Sequence, residues 1–211
     1  MLYKNLFSKI ISLENLFKAW DEFKLGKRSK IDVLQFEMEL EKNIFDLYFE
    51  LQNKTYSHAP YSGFFITDPK LRHIHKATVR DRVIHHAVYN ILYPIFEITF
   101  IQNSFSCRIG KGTHRGVIAV KEMLRKVSRN NNRSCYALKC DIRKFFDSVD
   151  QEILLSILKR RIKDTDTLWL MEKLINSYNS ESGTKRERER EREREEFPLE
   201  ISLPNSLPMF I

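Results

Sequence analysis

The chain has 211 residues, of which 42% are hydrophobic and 30% are charged, a composition that fits a folded globular domain and excludes collagen-like and wholly disordered chains. It contains no apolar run of about 18 residues, and its amphipathic N-terminus has no small-residue cleavage site. We therefore predict no membrane span, no signal peptide and a cytoplasmic location. The net charge of +8 favours an anionic partner, most often nucleic acid, and the three cysteines predict buried thiols rather than a disulfide framework.

The first part of the chain is predicted to be an N-terminal helical region over residues 1–60. Apolar residues follow one helical face over residues 11–25, and Ser12 is placed to cap the start of that helix. A second helix is predicted over residues 32–52, because Asp32 and the glutamine three residues later have the spacing of a capping box.

Strands and helices alternate in the following part of the chain. We predict a short strand at SGFFIT (62–67), a helix over residues 81–100 that Pro94 bends or ends, a glycine-containing loop over 103–114, a basic helix over 115–128 and a buried strand at CYALKCDI (135–142). Further helices are predicted to begin after Asp150 and Asp164. This order indicates a mixed α/β fold, or α+β, that is rich in helix.

A carboxylate stands at the end of the second predicted strand, at Asp141. A carboxylate in that position can hold a hard divalent cation such as Mg²⁺ through oxygen, and two-metal phosphoryl transfer needs several such groups. A single aspartate at a strand end also serves as a simple cap, so this residue alone leaves both interpretations open.

Three segments of the chain carry a family resemblance. DIRKFFDSVD (141–150) resembles the first palm motif of reverse transcriptases, D-I-x-x-F-F-D-x-I/V-D. DPKLRHIHKATVRDRVIHHAVYNILYPIFE (68–97) is similar to the fingers segment of that family, and SFSCRIGKGTHRGV (104–117) is similar to the segment that follows it. The three motifs occur in the family's order, and they most resemble those of bacterial group II intron-like and diversity-generating retroelement enzymes.

The resemblance implies the fingers and an incomplete palm of a right-hand polymerase over residues 61–183. It implies RNA-directed DNA synthesis with Mg²⁺ as cofactor, and an RNA template, a DNA or RNA primer and dNTPs as partners. Asp141 would be the first catalytic carboxylate and would bind both Mg²⁺ ions, while Ile142 would offer its backbone carbonyl to one of them. Phe146 would be the steric gate that excludes a ribose 2′-hydroxyl.

The resemblance also implies roles for basic residues. Lys70 and Arg72 would hold the triphosphate of the incoming nucleotide, since arginine can engage phosphate oxygens in pairs. Arg108, Lys111 and His114 would line the template, and ordinary solvated charge is the alternative for each of them.

Histidines raise the alternative of a zinc site, at His73, His75, His85 and His86. Their spacing does not match a zinc-binding helix of the H-E-x-x-H type, and no cysteine lies near them in the sequence. We therefore do not favour metal binding by these side chains.

The family's second catalytic element is a Y/F-x-D-D hairpin, and the 211 residues contain no adjacent pair of aspartates. The chain is therefore expected to be catalytically inactive as written. The alternative function is a non-catalytic, basic RNA-binding fragment that uses Lys70, Arg72, Arg80, Arg82 and the basic stretch over 108–129. A third interpretation is a fragment that cannot complete its core and aggregates.

Residues 184–211 form a low-complexity Arg-Glu tract and a tail. The family's next segment usually resembles G-I-P-L-G-N-L-T-S-Q-x-F-A-N. When this segment is extended as GIPLGNLTSQFFANVYLN, it can be encoded so that translation one nucleotide later gives EFPLEISLPNSLPMFI and then a stop, which matches residues 196–211 in full. Tandem Arg-Glu pairs, as at 186–195, are what a run of GA dinucleotides encodes, and such runs slip. We expect that a frameshift truncated the palm, the alternative being a genuine but unusual C-terminus.

Overall fold

The computed structural model describes residues 2–67, 71–142, 145 and 149–178. The chain divides into two compact units, Met1–Ser177 and Tyr178–Ile211, and all the elements described below belong to the first. The helices are α1 (Phe7–Ile11), α2 (Leu13–Lys24), α3 (Ile31–Met38), α4 (Leu40–Gln52), α5 (Val79–Glu97), α6 (Thr113–Val127), α7 (Gln151–Lys159) and α8 (Thr165–Ser177), and the strands are β1 (Ser62–Thr67) and β2 (Leu71–Lys76). Within the described ranges, no helix combines the length and the apolar composition that a membrane crossing requires.

The hydrophobic core is built around α5, whose apolar residues recur at helical spacing. Val83, Ile84 and Ala87 are fully buried, and α2 packs against them with a stripe that includes Leu16 and Trp20. Burying each large aliphatic side chain contributes about 1.5–3 kcal/mol, so the α2–α5 interface stabilises α5, from which the following loop and helix extend.

The predicted cap of the first helix is confirmed. The Ser12 hydroxyl accepts a hydrogen bond from the Asn15 amide at 3.2 Å, at the start of α2. The Asn15 side chain is buried and donates to the carbonyls of Ile10 (2.9 Å) and Ala87 (3.0 Å). One side-chain amide therefore joins α1, α2 and α5, and its nitrogen has two carbonyl partners despite its burial.

The predicted helix over residues 32–52 is wrong in its continuity and in its cap. The helix breaks at Glu39 (φ −121°, ψ 38°), and the side-chain amide of Asn43 donates to the Phe36 carbonyl that the break releases (3.0 Å). Asp32 caps nothing, because its Oδ2 lies 2.8 Å from both Lys76 Nζ and Arg82 Nη2. Lys76 is the main cause of the lowered pKa of Asp32, and two cationic partners are a stronger attraction than a helix cap.

The two strands form one antiparallel hairpin, in which Ser62 pairs with Lys76 and Thr67 pairs with Leu71. The predicted strand over 62–67 is confirmed, whereas β2 was not predicted from the sequence. Residues 68–70, between the two strands, lie outside the described residues. The mixed, helix-rich fold class is confirmed at this level, and the division into fingers and palm remains an interpretation.

The predicted strand over 135–142 is wrong, because residues 134–142 have no regular structure. Tyr136 is 96% exposed and Leu138 is 90% exposed. A strand needs a neighbouring strand to satisfy its backbone groups, and the described residues place none beside this segment.

Asp150 and Asp164 begin the last two helices, as predicted. Asp150 Oδ1 accepts from the Glu152 amide (2.9 Å) and the Ile153 amide (3.0 Å) at the start of α7. Asp164 Oδ2 also accepts from the Leu6 and Phe7 amides, at 2.7 and 2.8 Å, and so joins the N-terminus to α8. Burial opposes ionisation of Asp164, but these hydrogen bonds outweigh it and lower the pKa of the carboxyl.

The expectation of buried cysteines is wrong. Cys107 and Cys140 are exposed and Cys135 is partly exposed. All three lie in surface segments, the first in the loop before α6 and the others in the irregular segment after it.

Candidate nucleic-acid interface

The hairpin carries the first predicted nucleotide-binding residue. Arg72 lies on β2 opposite Ile66 and is exposed. Lys76, four residues further along the same strand, forms the ion pair with Asp32 that attaches the base of the hairpin to α3. Lys70, the second predicted triphosphate-binding residue, lies outside the described residues.

Arg108 shapes the loop over residues 98–112. Its Nε lies 3.0 Å from both carboxylate oxygens of Glu97, and its Nη2 lies 2.5 Å from Oε1. Nη1 donates to the carbonyls of Ile101 (2.9 Å) and Ser104 (3.1 Å), and only 9% of the side chain is exposed. Each partner favours the charged form of the other, so the pKa of Glu97 is lowered and that of Arg108 is raised. The guanidinium is therefore committed to the structure of the loop.

Lys111 and His114 lie where this loop enters α6. The Lys111 ammonium donates to the Gln102 carbonyl and stands 5.2 Å from the centre of the Phe105 ring. Gly112 precedes the helix with φ 97° and ψ −179°, a conformation that essentially only glycine adopts, and its amide donates to the Phe105 carbonyl at 3.0 Å. His114 is exposed in the first turn of α6.

A cleft of about 400 Å³ lies between the loop and one side of α6. Its lining combines cationic, apolar and amide side chains with one carboxylate: Gln102, Asn103, Phe105, Lys111, Arg115, Ala119, Glu122, Met123 and Lys126. Arg115 and Lys126 were predicted only as members of the basic stretch over 108–129 and not as individual template contacts. Their spacing of eleven residues, three turns of helix, places them on one face and was visible in the sequence.

The surface around the cleft is strongly basic. Residues 113–133 contain six lysines and arginines and one carboxylate, and α6 has no buried residue. Cations in such a cluster attract phosphate groups, and the flat ring of Phe105 beside Lys111 adds a surface for stacking.

Asp141 and Ile142 are the last two residues of the described range 71–142, and both are exposed. Asp141 Oδ1 accepts from the Ile142 amide at 3.0 Å. The expected position at the end of a strand is not observed, because the segment is not a strand. Phe146 lies outside the described residues.

The Asp141 carboxylate and the Ile142 carbonyl are hard oxygen donors of the kind that Mg²⁺ prefers. In the part of the chain that the structure describes, however, no group of three or more histidine, cysteine, aspartate or glutamate side chains is arranged to hold a metal ion. The residues present therefore suit part of a Mg²⁺ ligand set, and a two-ion site needs carboxylates from elsewhere.

A buried polar cluster holds the start of α5 in place. Asp81 is 0% exposed and accepts from the Tyr56 hydroxyl (2.7 Å), the Thr78 hydroxyl (2.6 Å) and the Ala59 amide (3.2 Å). Burial, followed by the hydrogen bond to Asp81, raises the pKa of Tyr56, so this hydroxyl remains a donor. These hydrogen bonds give Asp81 a structural role at the start of α5.

The histidines lie in two separate places. His73 and His75 are on β2, while His85 and His86 are on α5. The His85 ring stacks on His58 with centres 5.4 Å apart, and burial followed by repulsion from His58 lowers the pKa of His85 to about 4.

Comparisons with known proteins place the chain in a family. The family model described as reverse transcriptase (RNA-dependent DNA polymerase) matches residues 67–195, more than half of the chain. Protein YkfC of Escherichia coli (strain K12) is 27% identical over 139 residues, which are 65% of this chain and 36% of YkfC. Nuclear intron maturase 1, mitochondrial, of Arabidopsis thaliana is 29% identical over 93 residues, which are 44% of this chain and 12% of that protein. The chain thus matches about a third or less of the length of either relative.

Proposed function

Because the chain belongs to the reverse transcriptase (RNA-dependent DNA polymerase) family, we propose that it contains the fingers and part of the palm of an RNA-directed DNA polymerase from a bacterial retroelement of group II intron type. The similarity to an intron maturase and the order of the three motifs support this subtype. Family membership implies binding to a nucleic-acid template, and the finer assignments below are parts of the proposal.

The observation that carries the proposal is the basic cleft between the loop over 98–112 and α6. Arg108 braces the loop on Glu97, so Lys111 is held beside the exposed cations Arg115 and Lys126. Such an arrangement suits the phosphate backbone of a template, which is read by charge rather than by base identity. In this proposal Lys111 and His114 contact the template, and Arg108 acts indirectly by holding the loop over 98–112 in place.

The remaining predicted site residues would bind the incoming nucleotide and the metal ions. Arg72 and Lys70 would bind the triphosphate of a dNTP, and Phe146 would exclude a ribose 2′-hydroxyl. Asp141 and Ile142 would offer oxygens to Mg²⁺, which when bound neutralises charge on the phosphates. This chemistry needs further carboxylates, and no Y/F-x-D-D motif occurs in the 211 residues.

We therefore propose that these 211 residues alone bind RNA and do not polymerise. The match to the family model ends at residue 195, immediately before the segment 196–211 that corresponds to a frame-shifted palm motif. This coincidence supports a slipped GA repeat as the origin of the tail. The nucleotide sequence after the repeat tests it: a +1 frame without G-x-P-x-G-N-x-T-S-Q and an aspartate pair would contradict the proposal.

Salt-dependent RNA binding tests the cleft. We expect the Arg115→Ser, Lys126→Gln double variant to bind a single-stranded RNA more weakly and to reduce the slope of log affinity against log salt by about 1.4, which corresponds to two phosphate contacts. The matched control is Lys18→Gln with Lys42→Gln, two exposed lysines on α2 and α4. Equal losses in the two double variants would show that binding follows net charge alone and would overturn the cleft assignment.

Primer extension tests the catalytic residues in a frame-restored protein. Asp141→Asn should abolish incorporation of dNTPs while RNA affinity stays within twofold of the parent. Phe146→Ala should admit ribonucleotides. Full activity of Asp141→Asn would refute its catalytic role, and unchanged sugar discrimination would remove Phe146 as the gate.

A further inference from the structure

One face of the β1–β2 hairpin is lined by rings. In the antiparallel register, Gly63 lies opposite His75, Phe65 opposite His73 and Thr67 opposite Leu71. Directly opposed residues share a face, and faces alternate along a strand, so these six residues form one surface, which we call the ring face. The template and triphosphate contacts proposed above do not use it, since Arg72 lies on the opposite face.

The rings of this surface are arranged as a platform. The Phe65 and His73 rings stack with centres 4.5 Å apart and planes at 24°, and His75 meets His73 edge-on with centres also 4.5 Å apart. Gly63 makes room for this arrangement, because a Cβ atom at that position would lie 2.5 Å from His73 Nε2. Phe65 is 54% exposed, so a large part of its ring is open to a planar ligand.

The charge of the hairpin favours an anionic ligand. The twelve residues of β1 and β2 include the exposed cation Arg72 and no carboxylate. The second cation of the hairpin, Lys76, is paired with Asp32 of α3 at 2.8 Å. A ligand that combines planar rings with negative charge is single-stranded nucleic acid, whose bases stack on phenylalanine and histidine with little dependence on sequence.

We propose that the ring face binds unpaired bases of single-stranded nucleic acid by stacking on Phe65 and His73. The inference rests on the proposed function, because it adds a second contact to a chain that already binds RNA through the basic cleft. Stacking holds bases and the cleft holds phosphates, so the two contacts respond to different probes.

Two RNA probes of equal length separate these contacts. One is a fluorescent 12-nucleotide oligouridylate, and the other is an abasic oligomer with the same sugar–phosphate chain. We expect Phe65→Leu in the full chain to weaken oligouridylate binding roughly 5- to 150-fold, which is the range for losing one stacked base, and to leave abasic binding within twofold. The matched control is Phe64→Leu, which changes the same ring on the opposite face of β1 at 44% exposure.

A second variant reports stacking directly and guards against a folding defect. Phe65→Trp should keep oligouridylate affinity within about threefold, and its added indole fluorescence should be quenched by the oligouridylate and not by the abasic oligomer. Phe64→Trp should show no such quenching.

Several outcomes would overturn the inference. Equal losses in Phe65→Leu and Phe64→Leu, equal losses for both probes, or no quenching in Phe65→Trp would each exclude a base platform. Concentration-dependent self-association that Phe65→Leu abolishes, with unchanged RNA affinity, would show that the face binds a second copy instead. If the parent chain binds neither probe, the proposed function fails as well, whereas binding of both probes with no effect of Phe65 overturns the platform alone.

Discussion

The hydrogen bond from Tyr56 to Asp81 offers a sharp test of how the start of α5 is held in place. Tyr56 is 2% exposed, and its hydroxyl is one of three donors to a carboxylate that is completely buried. We predict that Tyr56→Phe destabilises the chain without opening a cavity, because only one oxygen atom is removed. The lost bond has a charged acceptor, and such bonds contribute about 1.5–3 kcal/mol. In a protein of this size, the loss corresponds to a Tm lower by roughly 3–12 °C.

The measurement is thermal unfolding at pH 7.5 followed by circular dichroism, with Tyr89→Phe as the matched control. Tyr89 is on the same helix as Asp81, and 44% of it is exposed. Its change should shift the free energy of unfolding by less than about 0.5 kcal/mol.

A double-mutant cycle assigns the loss to the pair rather than to burial of the ring. In an Asp81→Asn background, Tyr56→Phe should cost at least about 1 kcal/mol less than in the parent, because the charged acceptor is already gone. A loss that is the same in both backgrounds, or that equals the loss in Tyr89→Phe, would refute the assigned role of this hydrogen bond.

Two further predictions concern acid and backbone geometry. The pKa of His85 is lowered to about 4, below the unfolded value near 6.5, so on acidification the unfolded state gains a proton first. The free energy of unfolding should therefore fall as the pH drops from 6.5 towards 4, by up to about 1.4 kcal/mol per pH unit. Urea unfolding at several pH values should show a smaller dependence of this free energy on pH for His85→Asn, and an unchanged dependence would contradict the assignment. Gly112→Ala should destabilise the chain by about 1–3 kcal/mol, because Gly112 has a φ of 97°. Gly116→Ala, inside α6, should be neutral or stabilise by up to about 1 kcal/mol. Similar effects of the two substitutions in the same urea assay would show that the positive φ of Gly112 is not the cause of the loss.

Helices that bury their own apolar stripe could be predicted from the sequence. The stripe of α5 and the caps at Ser12, Asp150 and Asp164 depend on residues within a few positions of each other, so local spacing contains the information. The break at Glu39 could not be predicted in this way. It accompanies the recruitment of Asp32 by Lys76 and Arg82, which lie 44 and 50 residues further along the chain.

Strands were also difficult to predict, because strand formation depends on residues distant in the sequence. β2 has the sequence LRHIHK, in which histidines and cations occupy most of the positions where an apolar residue would indicate a strand. This segment is a strand because it pairs with β1. The segment 135–142 has the apolar composition of a buried strand but has no pairing partner in the described residues. Strand formation depends on a neighbour, so composition alone misled in both cases.

The candidate site was predictable as a set of charges but not as a division of roles. From the sequence, Arg108 and Lys111 have the same predicted role, since both are cations in one glycine-containing loop. The structure separates them, because Glu97 lies eleven residues before Arg108 and takes up its guanidinium, while Lys111 reaches the wall of the cleft. The partner of a loop cation depends on how the loop closes, which spacing does not determine.

Apolar side chains are exposed in two neighbouring parts of the sequence. Tyr136, Leu138 and Ile142 are exposed in the irregular segment, where side chains of an unpaired strand have no face to bury, and Val117 and Ile118 are exposed on α6. An apolar surface of this kind favours association with another chain or segment. The α2–α5 core, by contrast, buries its stripe completely and uses none of these residues. The packing of the α2–α5 core is therefore independent of whether residues 134–142 find a pairing partner.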